Sequence, residues 1–172
     1  RAHGQRPSEF GVPLRQLDTH MGAVVCRPDL LEVYVNLGIE FDLPILFLRE
    51  LDERLIGQYP ALKVRGPQLA KLLQAKGLPA IDRLVQFYDA KTIEERHAKY
   101  VQTLHDLSPG VNQQIIHCGY ANDELRAITN SLKQRDGDRA TFMDPEVMAL
   151  IDQLGIEVIT WKQLREMKSG RD

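Results

Sequence analysis

The chain has 172 residues, 43% hydrophobic and 27% charged, with 22 basic and 24 acidic side chains and a formal net charge of -2. That balance excludes an electrostatic nucleic-acid binder, an acidic tail and a polybasic membrane patch, and the ordinary apolar content argues against disorder. No stretch approaches the roughly 18 apolar residues that span a bilayer; the longest, Pro44-Ile45-Leu46-Phe47-Leu48, is strand-sized.

The first ten residues are polar and irregular, and are expected to be a loop or a helix fragment. Val12 to Asp18 reads as a short strand. Pro28 sits where a first-turn proline belongs, and Leu30, Tyr34, Leu37 and Phe41 follow at helical spacing. Pro44 stops that helix. Ile45 to Leu48 is a continuous apolar run, expected of a strand covered on both faces. Short helices are expected around Leu51–Ile56 and Gln68–Ala75, with Gly57, Pro60, Gly66 and Pro67 as punctuation. Ile81 to Tyr88 reads as a strand.

Thr92-Ile93-Glu94-Glu95 is a capping box opening a helix to about Leu107, with Ile93, Tyr100 and Leu104 inward. Pro109-Gly110 is a turn, and Val111 to His117 the next strand. Asn122 caps a helix carrying Leu125, Ile128 and Leu132, which Arg135-Asp136-Gly137-Asp138 is expected to break. Asp144-Pro145-Glu146 starts another helix, with Val147, Leu150, Ile151 and Leu154 buried and Gly155 as its stop. Ile156 to Ile159 reads as a strand and Trp161 to Met167 as a last helix. Strand and helix alternate about five times, which implies a parallel sheet with right-handed crossovers, in an open sheet or a barrel. Both architectures gather chemistry at the carboxyl ends of the strands.

Cys26 and Cys118 are the only cysteines and neither lies in a CxxC pair, so a disulfide framework and a cysteine-type zinc site are excluded. A reducing, cytoplasmic setting is expected. The histidines are His3, His20, His97, His105 and His117, with no HExxH or HxxxH pair. No GxGxxG, GxxxxGK[ST] or GxSxG motif is present, which removes most of the case for nucleotide binding and serine hydrolysis.

His20 and His117 stand where strand-end chemistry is expected. Asp18 lies two residues before His20, so on an extended chain the two side chains share a face. A carboxylate there could ligate a metal with the imidazole, orient it, or tune its proton affinity. Hydrogen-bonded rim histidines are the alternative for both. Arg49 closes the strand Ile45–Leu48 and could bind a substrate oxygen, or be an exposed arginine only. His97 and His105 read as surface side chains, Cys118 as a small buried cysteine, and Trp161 and Tyr120 as packing residues.

Leu17-Asp18-Thr19-His20-Met21-Gly22, with Pro28-Asp29-Leu30-Leu31 and Leu43-Pro44, resembles the central block of the YdjC-like carbohydrate deacetylases, which include chitooligosaccharide deacetylases. Ser108-Pro109-Gly110-Val111, Ile115-Ile116-His117-Cys118-Gly119-Tyr120 and Asp123-Glu124-Leu125-Arg126 resemble a second block. In that block Cys118 stands where the family carries proline. Arg135, Asp144-Pro145-Glu146-Val147 and Gly155-Ile156 to Trp161 resemble the closing block.

The resemblance implies a distorted α/β barrel of the polysaccharide-deacetylase type, with residues 1–172 forming a single partial domain whose first strands are missing. It implies a hydrolase that removes an acetyl group from an N-acetylated sugar, using a divalent ion such as Mg or Zn held by one aspartate and two histidines. His20 maps to one of those ligands. His117 maps to the general acid, and Asp18, Arg49 and Arg135 are candidates to orient or bind substrate. The family's Asp-Asp-Phe-Gly and Gly-x-His-Leu segments, which carry the other ligands and the base, do not occur in this sequence. The chain is short for a complete barrel of about 250 residues, so it is expected to be the carboxyl-terminal part of a longer deacetylase. A small N-acetylated sugar and a second copy of the chain are the expected partners, with no nucleic acid and no membrane. The competing expectation is a degenerate, non-catalytic sugar-binding or oligomerising module; an unrelated flavodoxin-like domain would need a ligand site without a phosphate loop.

Overall fold

A computed structural model describes residues 10, 11, 13–51 and 53–167. The expectations for residues 1–9, His3 and Val12 lie outside the described residues. The chain divides into two compact units, one from Arg1–Asp82 with Ile159–Asp172, the other from Arg83–Val158. The fold is a helix-rich mixture of α and β, and its strand pairings among the described residues are parallel.

In the first unit the expected strands contract to single bridges. Leu17 pairs with Ile45, and Leu48 with Ile81. A turn of 3-10 helix, His20–Cys26, leads into α1, Pro28–Glu40. The proline at the start of α1 gives up an amide that a first turn leaves free anyway. Its buried face is Leu31, Tyr34, Val35 and Gly38, one position round from the expected stripe, and Leu30 is exposed. Gly38 lets the helix close on the apolar run behind it: a Cβ there would lie 2.6 Å from Ile45 Cγ2 and 3.3 Å from the Leu43 carbonyl oxygen. Gly38→Ala is therefore expected to destabilise the protein by about 1–3 kcal/mol, as overpacked core substitutions do, despite alanine's better helix propensity. A urea melt would show it, and an unchanged or raised midpoint would disprove it.

Helices α2, Glu53–Gln58, and α3, Pro60–Ala75, complete this unit with α8, Trp161–Glu166. The expectation that Gly66-Pro67 interrupts the chain fails, because α3 runs through both. Leu62, Gly66, Leu69 and Leu73 fall at helical spacing on one buried stripe. Continuous burial of that stripe outweighs the hydrogen bond lost at Pro67. A Cβ on Gly66 would collide with the Leu51 side chain.

In the second unit β1, Arg83–Val85, pairs with β2, Asn112–Gln114, in the register Arg83↔Asn112, Leu84↔Gln113 and Val85↔Gln114. Helix α4, Ile93–His105, begins at the expected capping box: Thr92 Oγ1 accepts the Glu95 amide, and the Glu95 carboxylate accepts the amides of Lys91 and Thr92. Those amides hold the Glu95 carboxyl below its usual range. Its inward face is Arg96, Tyr100 and Leu104, whereas Ile93 is exposed.

Helix α5, Asp123–Ile128, is capped by Asn122 as expected. Arg135-Asp136-Gly137-Asp138 does not break a helix but lies inside one, α6, Leu132–Phe142. Gly137 allows the close approach of α6 to α4, since its Cβ would lie 3.1 Å from Arg96 Cδ and 3.5 Å from Ile93 Cα. Helix α7, Pro145–Gln153, starts at Asp144 and ends at Gly155, whose φ of +66° suits glycine. Val147 and Ile151 join Leu104 in the core of this unit. The strand expected at Ile156–Ile159 does not form. The Ile156 amide instead closes the end of α7 on the Ile151 carbonyl at 3.1 Å, and the Ile156 side chain packs on that core.

Candidate functional site

The candidate residues fall in both units, and each group is built by its own surroundings. In the first unit Tyr34, buried on α1, organises the strand ends. Its hydroxyl donates to the Leu17 carbonyl at 2.9 Å and accepts the Leu46 amide at 3.0 Å. Burial, with a smaller contribution from Asp18, raises the phenol well above the usual tyrosine range, so Tyr34 is a fixed neutral bridge.

Directly after this bridge the chain turns sharply. The Asp18 carboxylate is exposed and accepts the amide of Thr19 at 2.8 Å, and Thr19 Oγ1 accepts the amide of Val24 at 3.2 Å. Met21 and Gly22 both take left-handed backbone angles, φ 54° and 69°. A left-handed methionine costs on the order of 1–3 kcal/mol and persists only where its surroundings enforce it. Gly22 is required twice over, since a Cβ would also lie 2.9 Å from the Tyr59 hydroxyl. His20 opens this turn, exposed and without a hydrogen-bond partner among the described residues.

Arg49 is less free than the sequence suggests. Its Nε donates to Asp82 Oδ1 at 2.7 Å, beside the Leu48–Ile81 bridge, so a neighbouring carboxylate offsets much of its charge.

In the second unit His117 lies in extended chain beyond β2, with its side chain exposed. Its backbone is held nonetheless. The Ile115 amide makes the last ladder bond, to Val85 O at 3.0 Å. The His117 amide donates to Asp138 Oδ2 at 2.8 Å. The Gly119 amide donates to the Arg135 carbonyl at 3.1 Å. Every second amide of this stretch thus finds an acceptor, first on β1 and then on α6. The Tyr88 ring, also exposed, lies 6.2 Å from the His117 ring.

Asp138 is 1% exposed and anchors a buried polar cluster. Its Oδ1 accepts Arg96 Nε at 2.6 Å and the Tyr100 hydroxyl at 2.8 Å, and Arg96 Nη2 lies 2.5 Å away. The Arg96 guanidinium also sits 5.1 Å from the Phe87 ring centroid. Burial, then the hydrogen bond to Asp138, raises the Tyr100 phenol above its usual range, so it stays a proton donor.

Tyr100 is inward as expected, but its partnership with Arg96 and Asp138 was not read from the sequence. The available signal was an arginine on the stripe that carries Tyr100 and Leu104, since a buried cation requires a partner. Arg135 contributes chiefly its backbone carbonyl; its Nε donates to Ser131 Oγ at 3.1 Å.

The remaining candidates resolve simply. His97 pairs with Asp144 at 3.3 Å, and His105 is exposed in the last turn of α4. Both cysteines are free. Cys118 is exposed rather than buried, but partial desolvation and the charge of Asp138 push its thiol up, which disfavours a thiolate nucleophile. Tyr120 is also exposed, with Arg139 Cζ 4.7 Å from its ring centroid. No group of three His, Cys, Asp or Glu side chains able to hold a metal occurs among the described residues. No helix among them is long and apolar enough to cross a membrane.

A family model described as YdjC-like protein matches residues 5–153. No curated protein matches the sequence significantly. Among solved structures, the proposed cellobiose-phosphate cleavage protein of Enterococcus faecalis V583 is similar, with a TM-score of 0.64 at 19% identity. The alignment covers 91% of this chain and 55% of that one, so this chain spans little more than half the length of that neighbour.

Proposed function

Because the chain belongs to the YdjC-like family, we propose that it forms part of a carbohydrate N-deacetylase, with His117 as the general acid. The observation that carries this reading is an exposed imidazole three residues beyond β2 whose backbone is tied to a buried carboxylate. A side chain that must meet substrate has to be accessible, and one that must deliver a proton has to be placed. In the reaction, water adds to the acetyl carbonyl carbon, the carbon–nitrogen bond breaks, and the imidazolium of His117 gives its proton to the departing sugar nitrogen, while the proton released by the attacking water restores the imidazolium through solvent. The products are acetate and a free amino sugar. A barrel of the polysaccharide-deacetylase type and a cytoplasmic setting belong to the same proposal.

A divalent Mg or Zn ion is the cofactor of this reading, and His20 is the donor assigned to it. The described residues alone do not make its centre, because stable catalytic sites use three protein ligands and no such group is present among them. No step is therefore routed through the ion. Asp18 and Arg49 are assigned to orientation and substrate contact on the same unit as His20.

The test is acetate release from N-acetylglucosamine oligomers by the complete natural protein. Release that requires His20 is expected. Saturable sugar binding with no acetate released would support the non-catalytic alternative and refute the deacetylase reading.

A further inference from the structure

Resting on the reading of His117 as the acid, we propose that Asp138 is a positioning residue, whose carboxylate fixes the His117 main chain and so aims the imidazole at the leaving nitrogen. The carboxylate divides its work between its two oxygens. Oδ1 serves the helix pair, through Arg96 and Tyr100, and Oδ2 serves the strand end, through the His117 amide.

A structural ion pair would need only the first half of this. Burying an aspartate and an arginine carries a large desolvation penalty, and such pairs are often replaceable by well-packed apolar side chains. Here the second oxygen lies against a stretch that has left the sheet. Beyond Ile115 this stretch makes no further ladder bonds among the described residues, and its amides at His117 and Gly119 are taken by two positions of α6 one turn apart. Asp138 therefore links a rigid helix pair to the residue assigned to the chemistry. A displacement of about 1 Å in such a group lowers rate about 100-fold.

The experiment replaces the whole buried triad at once, as Arg96→Met with Tyr100→Phe and Asp138→Leu, in the complete natural protein. The triple variant leaves no uncompensated charge in the core, so the fold can persist while the clamp is lost. Two readouts are taken: amide hydrogen exchange at His117, and kcat and KM for acetate release from N-acetylglucosamine oligomers. The natural protein is expected to protect the His117 amide well beyond that of Ile116. A folded variant is expected to lose that protection, with kcat lowered about 100-fold and KM nearly unchanged.

A folded variant that loses protection but keeps the natural kcat would overturn the positioning role, provided His117→Ala is itself impaired. Full turnover in His117→Ala would instead overturn the acid assignment beneath it, recognisable because the exchange effect at His117 would remain. Should the triple variant fail to fold, the natural protein decides alone: unprotected exchange at its His117 amide would refute the clamp.

Discussion

Arg96→Ala is expected to lower the stability of the natural protein by about 3–5 kcal/mol, the usual cost of removing one member of a buried ion pair. Both side chains are removed from water, with Arg96 4% and Asp138 1% exposed. Alanine would leave the Asp138 carboxylate in the core with only the Tyr100 hydroxyl and the His117 amide to compensate it. It would also remove the guanidinium from the faces of Phe87 and Tyr100. Equilibrium unfolding in urea measures the loss, which should appear as a lower midpoint with little change in slope. The comparison is Arg49→Ala. Its partner Asp82 is 33% exposed and Arg49 itself 47%, so that loss should stay within about 1 kcal/mol. Equal effects at the two positions would show that burial of the Arg96–Asp138 pair does not govern its importance.

His117→Ala is expected to reduce turnover of N-acetylglucosamine oligomers by roughly 100- to 10,000-fold, the usual range for loss of a general acid. The substitution is a clean one. Alanine keeps the backbone amide that Asp138 accepts, and the deleted ring is exposed, so neither the clamp nor the core should change. The loss should therefore fall on kcat, with KM and the unfolding midpoint close to those of the natural protein. A variant with natural kcat would remove His117 from the chemistry, and a variant that unfolds early would assign the ring a structural role.

Several features were readable from residues a few positions apart. The Thr92–Glu95 box, the Asn122 cap, the Asp144-Pro145 start and the Gly155 stop all appear where they were expected. Each depends on hydrogen bonds and backbone angles within about one helical turn, which the local residue types determine. The parallel sense of the strand pairing also follows from the alternation of elements.

Tertiary structure alone decided the rest. Gly66-Pro67 reads as a stop, yet α3 continues, because burial of one apolar stripe outweighs a local penalty. Ile156–Ile159 has the composition of a strand, but its first residue is taken up by the end of α7. Arg135-Asp136-Gly137-Asp138 has the composition of a turn, but lies within α6 because Gly137 admits α4 and Asp138 meets Arg96. Arg96 and Asp138 are 42 positions apart in the chain. The sequence by itself determined the starts of α1, α4, α5, α7 and α8, where a cap or a first-turn proline lies within a few residues. Only the packing of α4 on α6 determined that the carboxylate holding His117 is a buried one, since the cost of burying a charge depends on a partner that local pattern does not contain.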